Sequence, residues 1–320
     1  MSVVNWLLDS DPAIRWQVMR DLTHEPADVV AAERSRVASE GWGARLLALQ
    51  GPDGQWGGTY FPEWTSTTNT LLLLRHMGLD PASDVARRAV ALVRDNSKWE
   101  HAGQAYFSGE VEPCINGTAV ALGSYFGQDV HGVVDRLLTE QLSDGGWNCE
   151  AERGSTVSSF GTTINVLEGL LEFDRATPGS TEVTTARRRG EKYLLDRRMF
   201  RRLSTGEVVN PEWLRFSFPT RYFYDVLRGL DYMRSAGVEP DERCAEAIDL
   251  VEAKRAEDGR WPLENPHTGL VYFDVDEGEG KPSHWNTLRA MRVLDWYEHG
   301  STARKDDLTR SEAHSRSSRS

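Results

Sequence analysis

Residues 137–150 read LLTEQLSDGGWNCE: the end of a helix, an Asp-Gly-Gly turn and a tryptophan, Trp147. Two other stretches repeat the pattern, LLALQGPDGQWGG at 46–58 around Trp56 and KRAEDGRWPLE at 254–264 around Trp261. Glycine accepts the left-handed backbone that ends a helix, and aspartate favours a tight turn. An indole just beyond such a turn can pack on neighbouring helix ends, and its N–H can reach a carbonyl that the helix leaves unpaired. Trp99 holds the same place in a longer loop, so the landmarks fall at 56, 99, 147 and 261. The last interval spans two units, with the missing landmark near Phe200. Recurrence on this scale marks a repeat architecture.

Around the landmarks, apolar residues recur at i, i+3, i+4 and i+7, and strand signals are nearly absent. The expected fold class is all-α. Helices pair as 44–50 with 67–77, 84–94 with 115–126, 130–141 with 162–173, 182–198 with 220–234 and 241–255 with 285–298. Two more precede them at 13–22 and 26–38, the first with Asp11 as N-cap and Pro12 in the first turn. Residues 1–40 thus read as N-terminal helices packed on a repeat domain at 41–299. Residues 300–320 are polar and poor in apolar groups, which predicts a disordered tail.

Composition narrows the partners. The 320 residues carry 37 Lys+Arg against 49 Asp+Glu, a net charge of −12. That balance argues against nucleic acid and anionic membrane as main partners. Peripheral membrane contact stays open. Three cysteines form no disulfide framework and point to a reducing, cytoplasmic setting. No secretion signal and no membrane-spanning apolar run is expected. The 11 tryptophans are explained mainly by the repeat.

The three Trp-turn stretches resemble the QW repeats of squalene–hopene cyclases, in the terpenoid cyclase/protein prenyltransferase superfamily. The resemblance runs from about residue 41 to 298. The chain also looks like small single-domain bacterial squalene cyclase-like proteins. The resemblance implies an α/α toroid, a double barrel of five to six helix hairpins around a central cavity. The second helix of each pair would be the inner one, and its first residues would line the cavity mouth. The substrate-binding residues implied are Trp64, Thr68, Asn69, Cys114, Asn116 and Phe160. Further round the rim come Asn165, Arg221, Tyr222, Tyr224, Trp285 and Asn286. Helix capping explains the Thr and Asn residues equally well. Arg221 reads as an inner-helix residue that holds an anionic head group, stacks on an aromatic ring or pairs with Asp225.

The family's catalytic patterns can be tested on this sequence. Cyclases of the squalene–hopene type protonate an alkene from a DxDD motif followed by Thr-Ala. The matching segment is Cys114-Ile115-Asn116-Gly117-Thr118-Ala119, with no carboxylic acid in it. Replacement acids are Asp274, Asp276 and Glu277 in YFDVDEGEGKPSHW, and Glu112 just ahead of Cys114. The same loop could bind Mg²⁺ with a diphosphate, or be a solvated acidic loop. The prenyltransferase zinc ligands are missing, and no metal site is expected: Cys114, Cys149 and His101 lack a ligand spacing.

Two functions follow from the resemblance. One is an isoprenoid-binding enzyme with an aromatic-lined cavity whose rings would stabilise carbocations during cyclisation. The other is a non-catalytic binding or scaffold toroid that lost the DxDD and zinc sites. A third, from other α/α toroids, is a glycan-active enzyme using two facing carboxylates such as Glu112 and Asp276.

Overall fold

A computed structural model of the chain describes residues 1–60, 64–177 and 179–317, with side chains described as far as Gly300. The fold is all-α; among the described residues β-structure is limited to three isolated bridges. α1 (Val3–Leu8), which the periodicity does not announce, is followed by α2 (Pro12–Asp21) and α3 (Ala27–Ser35). Asp11 caps α2 as expected, accepting from Ala13 N, and its second oxygen accepts from Trp42 N.

Five pairs follow, close to the expected bounds. They are α4 (Gly41–Leu47) with α5 (Thr67–Met77), α6 (Asp84–Asn96) with α7 (Pro113–Tyr125), and α8 (His131–Thr139) with α9 (Phe160–Ala176). Then come α10 (Thr181–Asp196) with α11 (Val226–Ser235), and α12 (Ala245–Ala253) with α13 (His284–Ser317).

One expectation needs correction. α11 starts at Val226, not near Thr220, because Asp225 is its N-cap and accepts from Arg228 N at 2.7 Å. Arg221, Tyr222 and Tyr224 therefore lie ahead of the helix, and Arg221 has a left-handed φ of 54°. The segment after Gly300 continues α13 as far as Ser317. It contains Ala, Arg, Lys and Leu and no Gly or Pro, so nothing in it stops α13. Residues 318–320 lie outside the described residues.

The Trp-turn units are built alike at atomic level. Trp56, Trp147 and Trp261 are at most 1% exposed. Each indole N–H donates at 2.7 Å to a carbonyl ten residues earlier, on Leu46, Leu137 and Val251. Each Trp backbone N–H donates at 3.0 Å to a threonine in the second helix, Thr67, Thr163 or Thr287. The Trp thus joins the two helices of its own pair. Gln50 and Gln141 join one pair to the next. Gln50 Nε2 donates to Gly54 O and to Ala89 O on α6, and Gln141 Nε2 to Gly145 O and to Ala186 O on α10. Where Lys254 replaces Gln, its ammonium pairs with Glu264 instead.

The second helices touch in chain order, α5 on α7, α7 on α9, α9 on α11 and α11 on α13. α2 touches both α13 and α5, so the contacts form a closed circuit. α7 and α9 approach most closely, through glycine: a Cβ on Gly117 would lie 2.5 Å from Asn165 O, and one on Gly169 2.3 Å from Gly117 O. One buried core runs from Leu7 to Leu294, so residues 1–40 share it with the pairs. Among the described residues no helix is long and apolar enough to cross a membrane.

Candidate functional site

The residues expected at the cavity rim divide into two groups. Most of the Thr and Asn side chains fasten backbone. Thr68 Oγ1 donates to Thr59 O, and Asn116 makes two hydrogen bonds with the Glu110 backbone. Asn165 Nδ2 donates to Gly161 O and Tyr222 O, and Asn286 Nδ2 to Phe216 O and Pro262 O. With these bonds made and at most 3% exposure, those four are not free to grip a ligand. Phe160 and Tyr224 pack with Tyr193 and Trp213 in a separate aromatic cluster. Tyr224 Oη donates to Met199 O at 2.5 Å. Neither residue lines either of the two cavities described next.

The first cavity, about 80 Å³, lies between the start of α5 and the 263–278 loop. Trp64, Asn69, Arg221, Asp274 and Asp276 line it, with apolar groups such as Leu72 and Phe218. The loop is strapped down: Trp64 Nε1 donates to Thr268 O, and Tyr272 Oη to Thr65 O. Asp276 is a structural residue. One oxygen accepts from Ser283 Oγ at 2.6 Å and the other from His284 N at 2.9 Å, fixing the start of α13. Asp274, Glu277 and Glu112 are solvent-exposed. The Asp276 carboxyl is buried but both its oxygens are taken by the start of α13, so none of the four is a free, buried carboxyl of the kind that protonates an alkene.

Arg221 differs from the other cations. Its guanidinium lies over the Trp64 ring at 4.0 Å, the residue is 7% exposed, and its Nε has no hydrogen-bond partner among the described residues. Burial pushes it down to about 9. The expected pairing with Asp225 is not made, because Asp225 caps α11 and faces Arg289.

The second cavity, about 370 Å³, is a half-open cleft lined by residues of the circuit's helices and of α3. Sequence reasoning missed its character. Eight arginines line it, on α2, α3, α5, α9, α11 and α13, against three acidic residues, Glu168, Glu172 and Asp231. Arg228 grips Glu168 with two hydrogen bonds, 2.7 and 2.8 Å, and also reaches Asn165 Oδ1 and Phe223 O. Arg75 pairs with Glu172 at 2.6 Å, and Arg292 with Asp21. Arg34 reaches Gly78 O and Tyr125 Oη and pairs with no carboxylate among the described residues. Burial pushes Arg292 down to about 10 against the pull of Asp21. Burial would raise Glu168, but Arg228 and then Arg75 hold it below the usual carboxylate range. Trp285, expected at the rim, lines this cavity and stacks on Phe218 at 4.1 Å. Phe218 and His76 line both cavities and so separate them.

His76 gives a test of this electrostatic setting. Burial first, and the Arg75 charge second, push it from 6.5 down to about 3. The folded value is the lower one, so the unfolded chain takes up the proton first as pH falls. Stability is present above about 6.5 and is lost from there down towards 3. The loss at pH 5 is expected to be about 2 kcal/mol. His76→Gln should flatten the slope of unfolding free energy against pH between about 5 and 7 by about 0.7 of a proton on average. An unchanged slope in urea titrations would show that folding does not shift the titration of His76.

A thiol pair completes the inventory. Cys114 and Cys149 are both free, with Sγ atoms 2.9 Å apart. The contact between the two thiols holds Cys149 below its usual range, and the same contact and burial push Cys114 up. The chain matches no protein-family model and no curated protein.

Proposed function

We propose that this chain is an α/α toroid of the terpenoid cyclase type that binds a small anionic molecule in its central cavity, without proton-initiated cyclisation. The toroid reading is supported by the Trp and Gln units and by the closed circuit of second helices. The observation that carries the ligand reading is the excess of guanidinium groups in the 370 Å³ cavity. Even with Asp21 and Asp225 added, three arginines remain without a matching carboxylate. Ligand sites run to roughly 300–1,000 Å³. The charged cavity is in that range and the apolar one, at about 80 Å³, is below it. A hydrocarbon would leave the guanidinium groups desolvated and unpaired, whereas phosphate or carboxylate oxygens would match their forked donors. Within the isoprenoids, a short prenyl diphosphate combines these features. The arginines neutralise its charge, so Mg²⁺ is not required. Arg221, over Trp64, offers a second anion contact beside the apolar cavity.

Calorimetry and thermal shift with pyrophosphate, geranyl diphosphate, farnesol and squalene, with and without Mg²⁺, test this reading. The two diphosphates should bind without Mg²⁺, and farnesol and squalene should not. Arg289→Met should weaken diphosphate binding by about tenfold or more, the loss of one charge-assisted hydrogen bond. Binding of farnesol as tight as that of geranyl diphosphate would overturn the anion reading. A cyclised hydrocarbon released from squalene would replace it with the cyclase reading.

A further inference from the structure

The two free thiols are brought together from positions 35 residues apart. Cys114 stands in the first turn of α7, directly after Pro113. Cys149 follows the Trp147 turn, whose indole and backbone N–H are both anchored. Its own N–H and Sγ contact Thr162 Oγ1 on α9, each at 3.4 Å. Glu112 Oε2 lies 3.5 Å from Cys114 Sγ. One ligand atom from each of Glu112, Cys114 and Cys149 falls within 4.8 Å of the others. Two sulfurs and a carboxylate this close repel one another once ionised, and a divalent cation among them removes the repulsion.

We propose that Glu112, Cys114 and Cys149 form a zinc site, with the fourth coordination position open. Thiolate sulfur selects zinc over Mg²⁺ or Ca²⁺. Zn–S bonds of about 2.3 Å in a tetrahedron set the sulfurs about 3.8 Å apart. The observed 2.9 Å therefore has to widen by just under 1 Å, which small χ1 rotations of two half-buried side chains supply. Binding displaces one proton from each thiol and moves no electrons. Cys114 interacts electrostatically with Tyr60 and Tyr222, and Tyr222 packs on Trp64 at 5.7 Å. The site thus lies at the end of the molecule where the second helices start, near the first cavity. It stands independently of the anion reading.

The test uses the full chain, reduced and stripped of metal, titrated with Co²⁺ and then Zn²⁺. One Co²⁺ per chain should produce thiolate-to-cobalt charge-transfer absorption in the near ultraviolet, and one Zn²⁺ should abolish it. Cys114→Ser and Cys149→Ser should each remove most of that absorption and weaken Zn²⁺ by more than about 100-fold, because a direct ligand outweighs the 10–100-fold effect of its supports. Glu112→Gln, at an exposed position, should keep the absorption and weaken Zn²⁺ about tenfold. It serves as the decisive variant if circular dichroism shows that a cysteine variant does not fold. No charge-transfer band in the reduced wild type, or equal Zn²⁺ affinity in Glu112→Gln and wild type, would overturn the site. So would a Cys114–Cys149 disulfide found by mass spectrometry in protein kept under reductant.

Discussion

Trp147→Ala should lower the unfolding free energy by about 3–5 kcal/mol, the range for deleting a large aromatic from a packed core. The indole is fully buried, and its N–H holds Leu137 O at 2.7 Å. Alanine leaves both a cavity and an unpaired carbonyl at the end of α8. Trp147→Phe separates the two effects. It keeps most of the apolar volume and removes only the donor, so about 1–3 kcal/mol is expected. Urea unfolding of both variants gives the comparison. A loss below about 1 kcal/mol for Trp147→Ala would mean that the Trp turn does not fasten the pair.

The second large effect lies in the charged cavity. Arg228 is buried and makes four hydrogen bonds, two of them to Glu168. Arg228→Met leaves Glu168 charged and poorly solvated, which should cost about 3–5 kcal/mol. Glu168→Met combined with Arg228→Met removes both charges and should recover most of that loss. The pH dependence carries a second signature. In the wild type, burial acts to raise Glu168, but Arg228 and Arg75 overcome it. Because the folded value is depressed, this stabilisation is present above the unfolded value near 4.5 and is lost as pH falls through the folded one. Arg228→Met should lose that acid-side decline. Equal stability of Arg228→Met and wild type near pH 7 would mean that the pair contributes nothing.

What the sequence displayed well was local. A Gly-rich turn before Trp56, Trp147 or Trp261 needs only its own few residues to be recognised, and those units are nearly superposable in their bonds. The start of α11 was misplaced because Thr220 and Asp225 are both good caps, and only the tertiary position of Asp225 beside Arg289 separates them. The charged cavity was harder to see. Arginine is seldom buried, so residue type alone gives no sign that Arg228, Arg289 and Arg292 face a cavity. A signal was present: Arg289 and Arg292 stand three apart on α13, among Leu288, Ala290, Val293 and Leu294, all buried. Asn116, Asn165 and Asn286 are expected at the rim from their positions, but the sequence could not show that neighbouring backbone uses their amides. Cys114 and Cys149 are considered together with His101 on the sequence, but their spacing could not show that packing sets the two thiols 2.9 Å apart.

The circuit of helices has a consequence for how the protein is made. Its closing contact sets Arg292 against Asp21 and Gln17, and the Gln17 bond spans 275 residues. Synthesis delivers α2 early and α13 last, while neighbouring pairs can dock as they emerge. Until α13 arrives, the nascent chain is an open arc whose two ends expose apolar and charged surface meant for each other. Closure is the step with the greatest loop entropy to overcome, and that open arc is the form in which a chaperone or a protease would meet the protein.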